Sequence, residues 1–159
     1  MEVKTLGSRS APVELAGLFS DLVRLETDLW GLVDQRLRRE HDLPLSWFEP
    51  MQIMDRVREC RVADIAEALS ITVGGASKLV DRIEHAGLCD RTPNPNDARS
   101  SVLALSRAGK RLLGAAQVTF DDELAAILGA AIPPERLASF ATALRDLRQH
   151  ITDQPKSAR

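Results

Sequence analysis

The sequence predicts a mainly α-helical chain with one small β-hairpin and long helices at both ends, on three observations. Leucines recur at Leu15, Leu18, Leu22, Leu25, Leu29 and Leu32, alternating steps of three and four, the repeat of a helix packed along a seam. Two short helical periods, one at Val62, Ile65, Ala66 and Leu69 and one at Ala76, Leu79, Val80 and Ile83, meet at the tight connection Ser70-Ile71-Thr72. Turn formers fill residues 92–100, between two extended stretches at 88–91 and 101–105, the pattern of a hairpin with a long loop.

The first helix spans roughly residues 12–40. Phe19, Trp30, Val33 and Leu37 widen its apolar stripe beyond what one partner helix covers; a second chain and an intrachain bundle both satisfy that pattern. His41, Asp42, Leu43 and Pro44 interrupt it, and Ser46 with Glu49 predicts a capping box opening a second helix. That helix buries Trp47, Met51, Met54 and Val57, tolerates Pro50 in its first turn and ends near Cys60. Thr72 is the expected N-cap of the second short helix, and Gly87-Leu88 its glycine stop. Ser106 caps a helix carrying Leu112, Ala116, Phe120, Leu124 and Ile127 that ends near Gly129. Pro133-Pro134 opens the last helix, with Leu137, Phe140, Ala141, Leu144, Leu147 and Ile151 in register. Residues 1–10 and 153–159 read as disordered ends.

Composition narrows the function classes. The chain has 159 residues, and none of its apolar runs approaches the roughly 18 needed to cross a bilayer. Residues 1–10 hold no signal-peptide stretch, so a cytoplasmic protein without membrane contact is expected. Cys60 and Cys89 form no C-x-x-C pair, which excludes a zinc finger and a disulfide framework and leaves both as small packing residues. His41, His85 and His150 are scattered, no H-E-x-x-H or nucleophile motif occurs, and Gly74-Gly75 is no phosphate-cradling loop. No enzyme activity, metal or cofactor is expected.

The net charge of -2 is unevenly placed. Residues 1–71 hold 9 basic and 13 acidic side chains, whereas residues 72–111 hold 7 basic against 4 acidic. A basic block in an acidic chain is the footprint of a phosphate-bearing partner, although solvated surface charge gives the same count. The second short helix concentrates it. Opposite its core positions it presents Gly74, Ser77, Lys78, Asp81 and Arg82: donors suited to guanine or phosphate oxygens, with Gly74 and Gly75 small enough for close approach. A Pro-restrained loop ending in Arg99 suits a narrow, electronegative minor groove, and Asp97 is placed to hold a neighbouring arginine.

The order of these pieces resembles the MarR family of winged helix-turn-helix transcriptional regulators. The likeness runs over about residues 41–113, close to half the chain, and rests on Val62-Ala63-Asp64-Ile65-Ala66-Glu67-Ala68-Leu69, on Leu79-Val80-Asp81-Arg82 and on Gly87-Leu88. It continues in Asn96-Asp97-Ala98-Arg99 and in Leu105-Ser106-Arg107-Ala108-Gly109, which reproduce the family's D-x-R wing and L-[ST]-x-x-G. The resemblance implies dimerisation helices at 11–44 and 112–152 around a winged helix-turn-helix domain at 45–111. It implies a homodimer on a pseudo-palindromic double-stranded DNA operator, usually as a repressor released by a small ligand.

By the same resemblance Thr72, Ser77, Lys78 and Arg82 fall at recognition-helix contacts and Arg99 at the wing arginine. The chain departs from its relatives at Val73-Gly74-Gly75, where polar groups are common, and at Ala98 in a wing often richer in arginine; Arg91 and Arg99 are then left with more of the phosphate contacts. Family effectors commonly lie between dimerisation and DNA-reading helices, which makes Trp30, Trp47 and Phe48 candidates to line a pocket for a small aromatic or amphipathic ligand, or else ordinary core. The residues alone also admit a helical protein-interaction module that uses the fold without DNA.

Overall fold

Six helices and one hairpin follow along the chain: α1 (Leu15–His41), α2 (Leu45–Arg56), α3 (Val62–Ala68), α4 (Val73–His85), β1 (Cys89–Asn94), β2 (Asp97–Leu105), α5 (Arg107–Ala131) and α6 (Pro134–Asp153). This computed structural model describes residues 13–94 and 97–153, with the backbone alone at 97–99. The expected arm at 1–10 and residues 154–159 of the expected tail lie outside the described residues. The chain divides into two compact units after Leu32. No single helix among the described residues is long and apolar enough to cross a membrane.

In the first unit, Leu15, Leu18, Phe19, Val23, Leu25, Trp30 and Leu32 of α1 are exposed, and Leu22 and Leu29 half-buried. The second unit holds the core. Val33 and Leu37 at the end of α1, Phe48, Met51 and Met54 of α2, Ile65 of α3, Val80 and Ile83 of α4, Leu103 and Leu105 of β2 and Leu113 of α5 are buried together. Burying a side chain of that size contributes about 1.5–3 kcal/mol, so this cluster is the unit's chief source of stability. Polar contacts fasten the end of α1 to α5: Arg36 lies 2.5 Å from Glu123, and the buried Thr119 hydroxyl, 2.8 Å from His41 Nε2, donates to Glu40 at 3.2 Å. Hydrogen bonding to Glu123 raises the Arg36 guanidinium further, and bonding to Arg39 lowers the Glu40 carboxyl.

Three local expectations are corrected. Helix α2 has no side-chain cap; Pro44 is its N-cap residue, and the free N–H of Leu45 donates to Asp34 Oδ1 at 2.8 Å. The expected Ser46–Glu49 box therefore does not open α2: the helix already starts at Leu45, one residue before Ser46, and a carboxylate eleven residues upstream takes its first free N–H. Pro50 consequently sits in the second turn, and the helix stops at Arg56 rather than near Cys60. The hairpin loop is also shorter than expected. Cys89 pairs with Leu105 and the ladder runs regularly to Pro93 opposite Ser101, then through a bulge to Asn94 opposite Asp97. Thr92, Pro93 and Asn94, read as loop from their turn propensity, are strand residues of a two-stranded ribbon, where proline is tolerated at an unpaired edge.

Candidate nucleic-acid interface

Helix α4 is bounded by local chemistry at both ends. Thr72 Oγ1 accepts from Gly75 N at 3.1 Å, and Gly87, at φ +72, closes the helix with Gly87 N bonded to Glu84 O and Leu88 N to Ile83 O. Such a close needs a left-handed residue, which glycine adopts without steric cost. The preceding turn uses the same device with a serine: Ser70 at φ 55, with Ile71 N bonded to Ala66 O at 3.0 Å.

The sequence element Leu105-Ser106-x-x-Gly109 gains a physical reading here. Ser106 accepts from Gly109 N, capping α5, while its hydroxyl donates to Gly87 O at 2.7 Å. A Cβ on Gly109 would stand 2.0 Å from the Leu88 carbonyl oxygen, so only glycine lets α5 start against the end of α4. The end of the hairpin and the end of α4 are thus joined through one short knot of backbone.

Ala76, Val80 and Ile83 turn inward and are fully buried. The opposite face presents Gly74, Lys78, Asp81, Arg82 and His85 to solvent, with Ser77 half-buried, and Val73, on the core side of the first turn, is exposed as well. Among the described residues, Lys78 and Arg82 have no ion-pair partner, so two cations stand open one turn apart. Arg91 is placed differently. Its guanidinium, 24% exposed, donates to Asp81, lies 3.1 Å from Glu84 Oε2 and reaches the Ser77 carbonyl at 3.4 Å. It is occupied as a strut between β1 and α4. Arg99 lies in β2 by its backbone; its side chain, like that of Asp97, lies outside the described residues. Near the tip, Asn94 Nδ2 donates to Ser100 Oγ at 3.0 Å.

The two glycines of α4 separate on inspection. A Cβ on Gly75 would meet Thr72 Oγ1 at 3.2 Å, so Gly75 makes room for the cap; a Cβ on Gly74 would meet nothing within 4 Å. The aromatic candidates also part company. Phe48 is fully buried, its ring 4.9 Å from that of Phe120, and Trp30 is exposed on α1 in the first unit. Trp47 lines an open cleft of about 440 Å³ together with Asp81, Arg82, His85 and Ala86. Cys60 and Cys89 are buried, and burial pushes both thiols up to about 11. No cluster of three or more His, Cys, Asp or Glu able to hold a metal occurs among the described residues.

The Arg91 strut and the exposed Ile71 and Val73 escaped sequence reasoning. Asp81 and Arg91 are ten residues apart across a helix end and a strand, a separation with no local signature, and Val73 stands in period with Ala76 and Val80, so spacing alone assigns it to the core face although it is exposed in the first turn.

Residues 47–101 match the MarR family. The HTH-type transcriptional regulator YxaD of Bacillus subtilis is 28% identical over 85 residues, 54% of this chain and 59% of that protein. The chain spans little more than half the length of the curated relatives it matches. Among solved structures, Sco3205 of Streptomyces coelicolor, a MarR family transcriptional regulator in complex with DNA, superposes with a TM-score of 0.80 at 21% identity over 94% of both chains. CouR of Rhodococcus jostii, bound to p-coumaroyl-CoA, superposes with a TM-score of 0.73 at 20% identity over 89% of this chain and 95% of its own. Residues 47–101 thus resemble the MarR family, and the chain as a whole shares the fold of Sco3205 and CouR.

Proposed function

We propose that the chain is a homodimeric, sequence-specific DNA-binding transcription regulator, a repressor released by a small ligand. The observation that carries this reading is the outward face of α4, where Lys78 and Arg82 stand exposed, without an ion-pair partner among the described residues, on a helix capped at both ends and braced to the hairpin. In it, Thr72, Ser77, Lys78 and Arg82 contact the major groove and Arg99 the minor groove and backbone. Arg91 acts as a positioning residue, fixing the wing relative to α4, rather than as a direct phosphate contact. The likeness in fold to Sco3205, solved with DNA, supports the assignment.

Residues 11–44 and 112–152 pair two copies, and residues 45–111 read DNA, the last five being the opening turn of α5. The exposed apolar residues of α1 and the absence of any buried residue in α6 support that pairing. Two copies related by a two-fold axis read a pseudo-palindrome with half-sites about one helical turn apart. The cleft beside Trp47 and Arg82 is the site assigned to a small aromatic or amphipathic acid, whose carboxylate would occupy Arg82; CouR, of like fold, holds an acyl-CoA.

The test is a salt titration of affinity for duplex DNA. Log affinity should fall linearly with log salt, and Lys78→Ala or Arg82→Ala, each removing one contact per copy, should reduce the slope by about two if the residue contacts phosphate. Binding that is absent, or indifferent to salt, would contradict the reading and favour a protein partner. An aromatic acid should quench Trp47 fluorescence and weaken DNA binding together; quenching without weakening would remove the ligand from the mechanism.

A further inference from the structure

The first turn of α4 differs in chemistry from the rest of its outward face. Gly74, Lys78 and Arg82 form one row at i, i+4 and i+8, and the row begins with no side chain at all. Beside the gap stand two branched apolar groups: Val73 is 59% exposed and Ile71, just before the cap, 41%. Neither belongs to the core cluster.

Gly74 has no reason to be glycine within the described molecule. It does not sit at positive φ, and a Cβ there meets open space, so alanine would fit and would favour the helix. Gly75, its neighbour, is accounted for by the cap. Gly31, Gly114 and Gly129 face open space as well, but on α1 and α5; Gly74 alone of these lies in a helix turn that also exposes an apolar side chain, and heads a row of cations that have no ion-pair partner among the described residues.

Resting on the DNA-binding reading above, we infer that Val73, with Ile71 beside it, reads thymine by contact with its C5-methyl group, and that the missing side chain of Gly74 lets the backbone approach the base edges closely enough to make that contact. Thymine is the one base that offers a methyl group in the major groove, and apolar side chains recognise it there. Lys78 and Arg82, farther along the same row, face phosphates or guanine edges. Specificity at the α4 start is therefore apolar, and the operator carries a thymine in each half-site opposite Val73.

The experiment begins with duplexes enriched from a random pool by the unmodified full chain, followed by replacement of each thymine in the enriched site by deoxyuridine, which removes only the methyl. Replacement in one half-site should weaken binding by about fourfold, the equivalent of one buried methyl, and replacement in both by about fifteenfold. Val73→Ala should weaken binding to the parent site by a similar factor and no longer distinguish thymine from deoxyuridine there. Gly74→Ala should raise Tm by about 2 °C while weakening binding about tenfold, a combination that a structural role for Gly74 would not give. Both positions are exposed, so both variants should fold. Enriched sites indifferent to every deoxyuridine, or a Gly74→Ala chain that binds as the parent does, would overturn the inference and leave DNA binding intact. Failure to enrich any duplex would overturn the DNA-binding reading and this inference with it.

Discussion

Helices α4 and α6 carry apolar residues at the same helical spacing and meet opposite fates. In α4, Ala76, Val80 and Ile83 are each fully buried; in α6 no residue is buried, although Leu137, Phe140, Leu144, Leu147 and Ile151 lie along one stripe. The difference is one of neighbours. Helix α4 is enclosed by α2, α3 and β1, while α6 packs on α5. Spacing states which face of a helix must leave water; the supply of a covering surface decides whether the same chain provides it. The exposed part of α1 follows α6, and these uncovered stripes are assigned to a second copy.

The sharpest way to break the comparison is to place a charge on each kind of face. Leu144→Glu puts a carboxylate where the second copy is assigned; the expected cost is several kcal/mol, about 3 or more, seen as a shift from dimer to monomer or aggregate in sedimentation. A variant that sediments as the parent does would make α6 a solvated helix. On the α4 side, Ile83→Ala should cost about 2–5 kcal/mol in denaturant unfolding at fixed protein concentration, the range for deleting a buried aliphatic side chain. A loss under 1 kcal/mol would mean that the core around α4 is looser than its burial indicates.

A pH series sharpens the same contrast, because Cys60 and Cys89 both border the α4 core. Burial holds their protons more tightly in the folded state than the usual value of 9.0 allows, up to about 11. The stability they contribute is fully present below pH 9 and is lost as pH rises from about 9 towards 11, since the unfolded chain releases those protons first. With no Tyr and four Lys in the chain, few other groups titrate in that window. The urea midpoint should fall across it, and Cys60→Ala with Cys89→Ala should flatten the fall. The smallest expected effect is a gain. Ser70 occupies the left-handed region at the turn before α4, and Ser70→Gly should stabilise the chain by about 0.5–1 kcal/mol in the same assay. A loss would show that the serine hydroxyl contributes more than its backbone strain costs.

Much of α4 was legible in the sequence because its limits are set within a few residues: Thr72 caps Gly75, and Gly87 supplies the left-handed close. Helix α2 was misjudged at its start because its cap comes from Asp34 on another helix. The hairpin was misjudged for a related reason, since Thr92, Pro93 and Asn94 have turn propensity in isolation but a ladder partner in the fold. The cations Lys78 and Arg82 were legible as an outward pair. That Arg91 is engaged by Asp81 and Glu84 was not, because charge counts carry no information on which charges meet. Phe48 and Trp47, adjacent in sequence, went to core and cleft respectively, a distinction that depends on which way α2 faces.

The central claim is that two copies, paired through the faces that one chain leaves uncovered, present two α4 helices to one duplex. Sedimentation equilibrium of the full chain, alone and with an enriched duplex labelled at a wavelength where protein does not absorb, tests it directly. The account predicts the mass of two chains at micromolar concentration and, in the labelled boundary, two chains per duplex, a complex that dissolves at high salt. A stably folded monomer at micromolar concentration, or a labelled boundary carrying one chain per duplex, would contradict it.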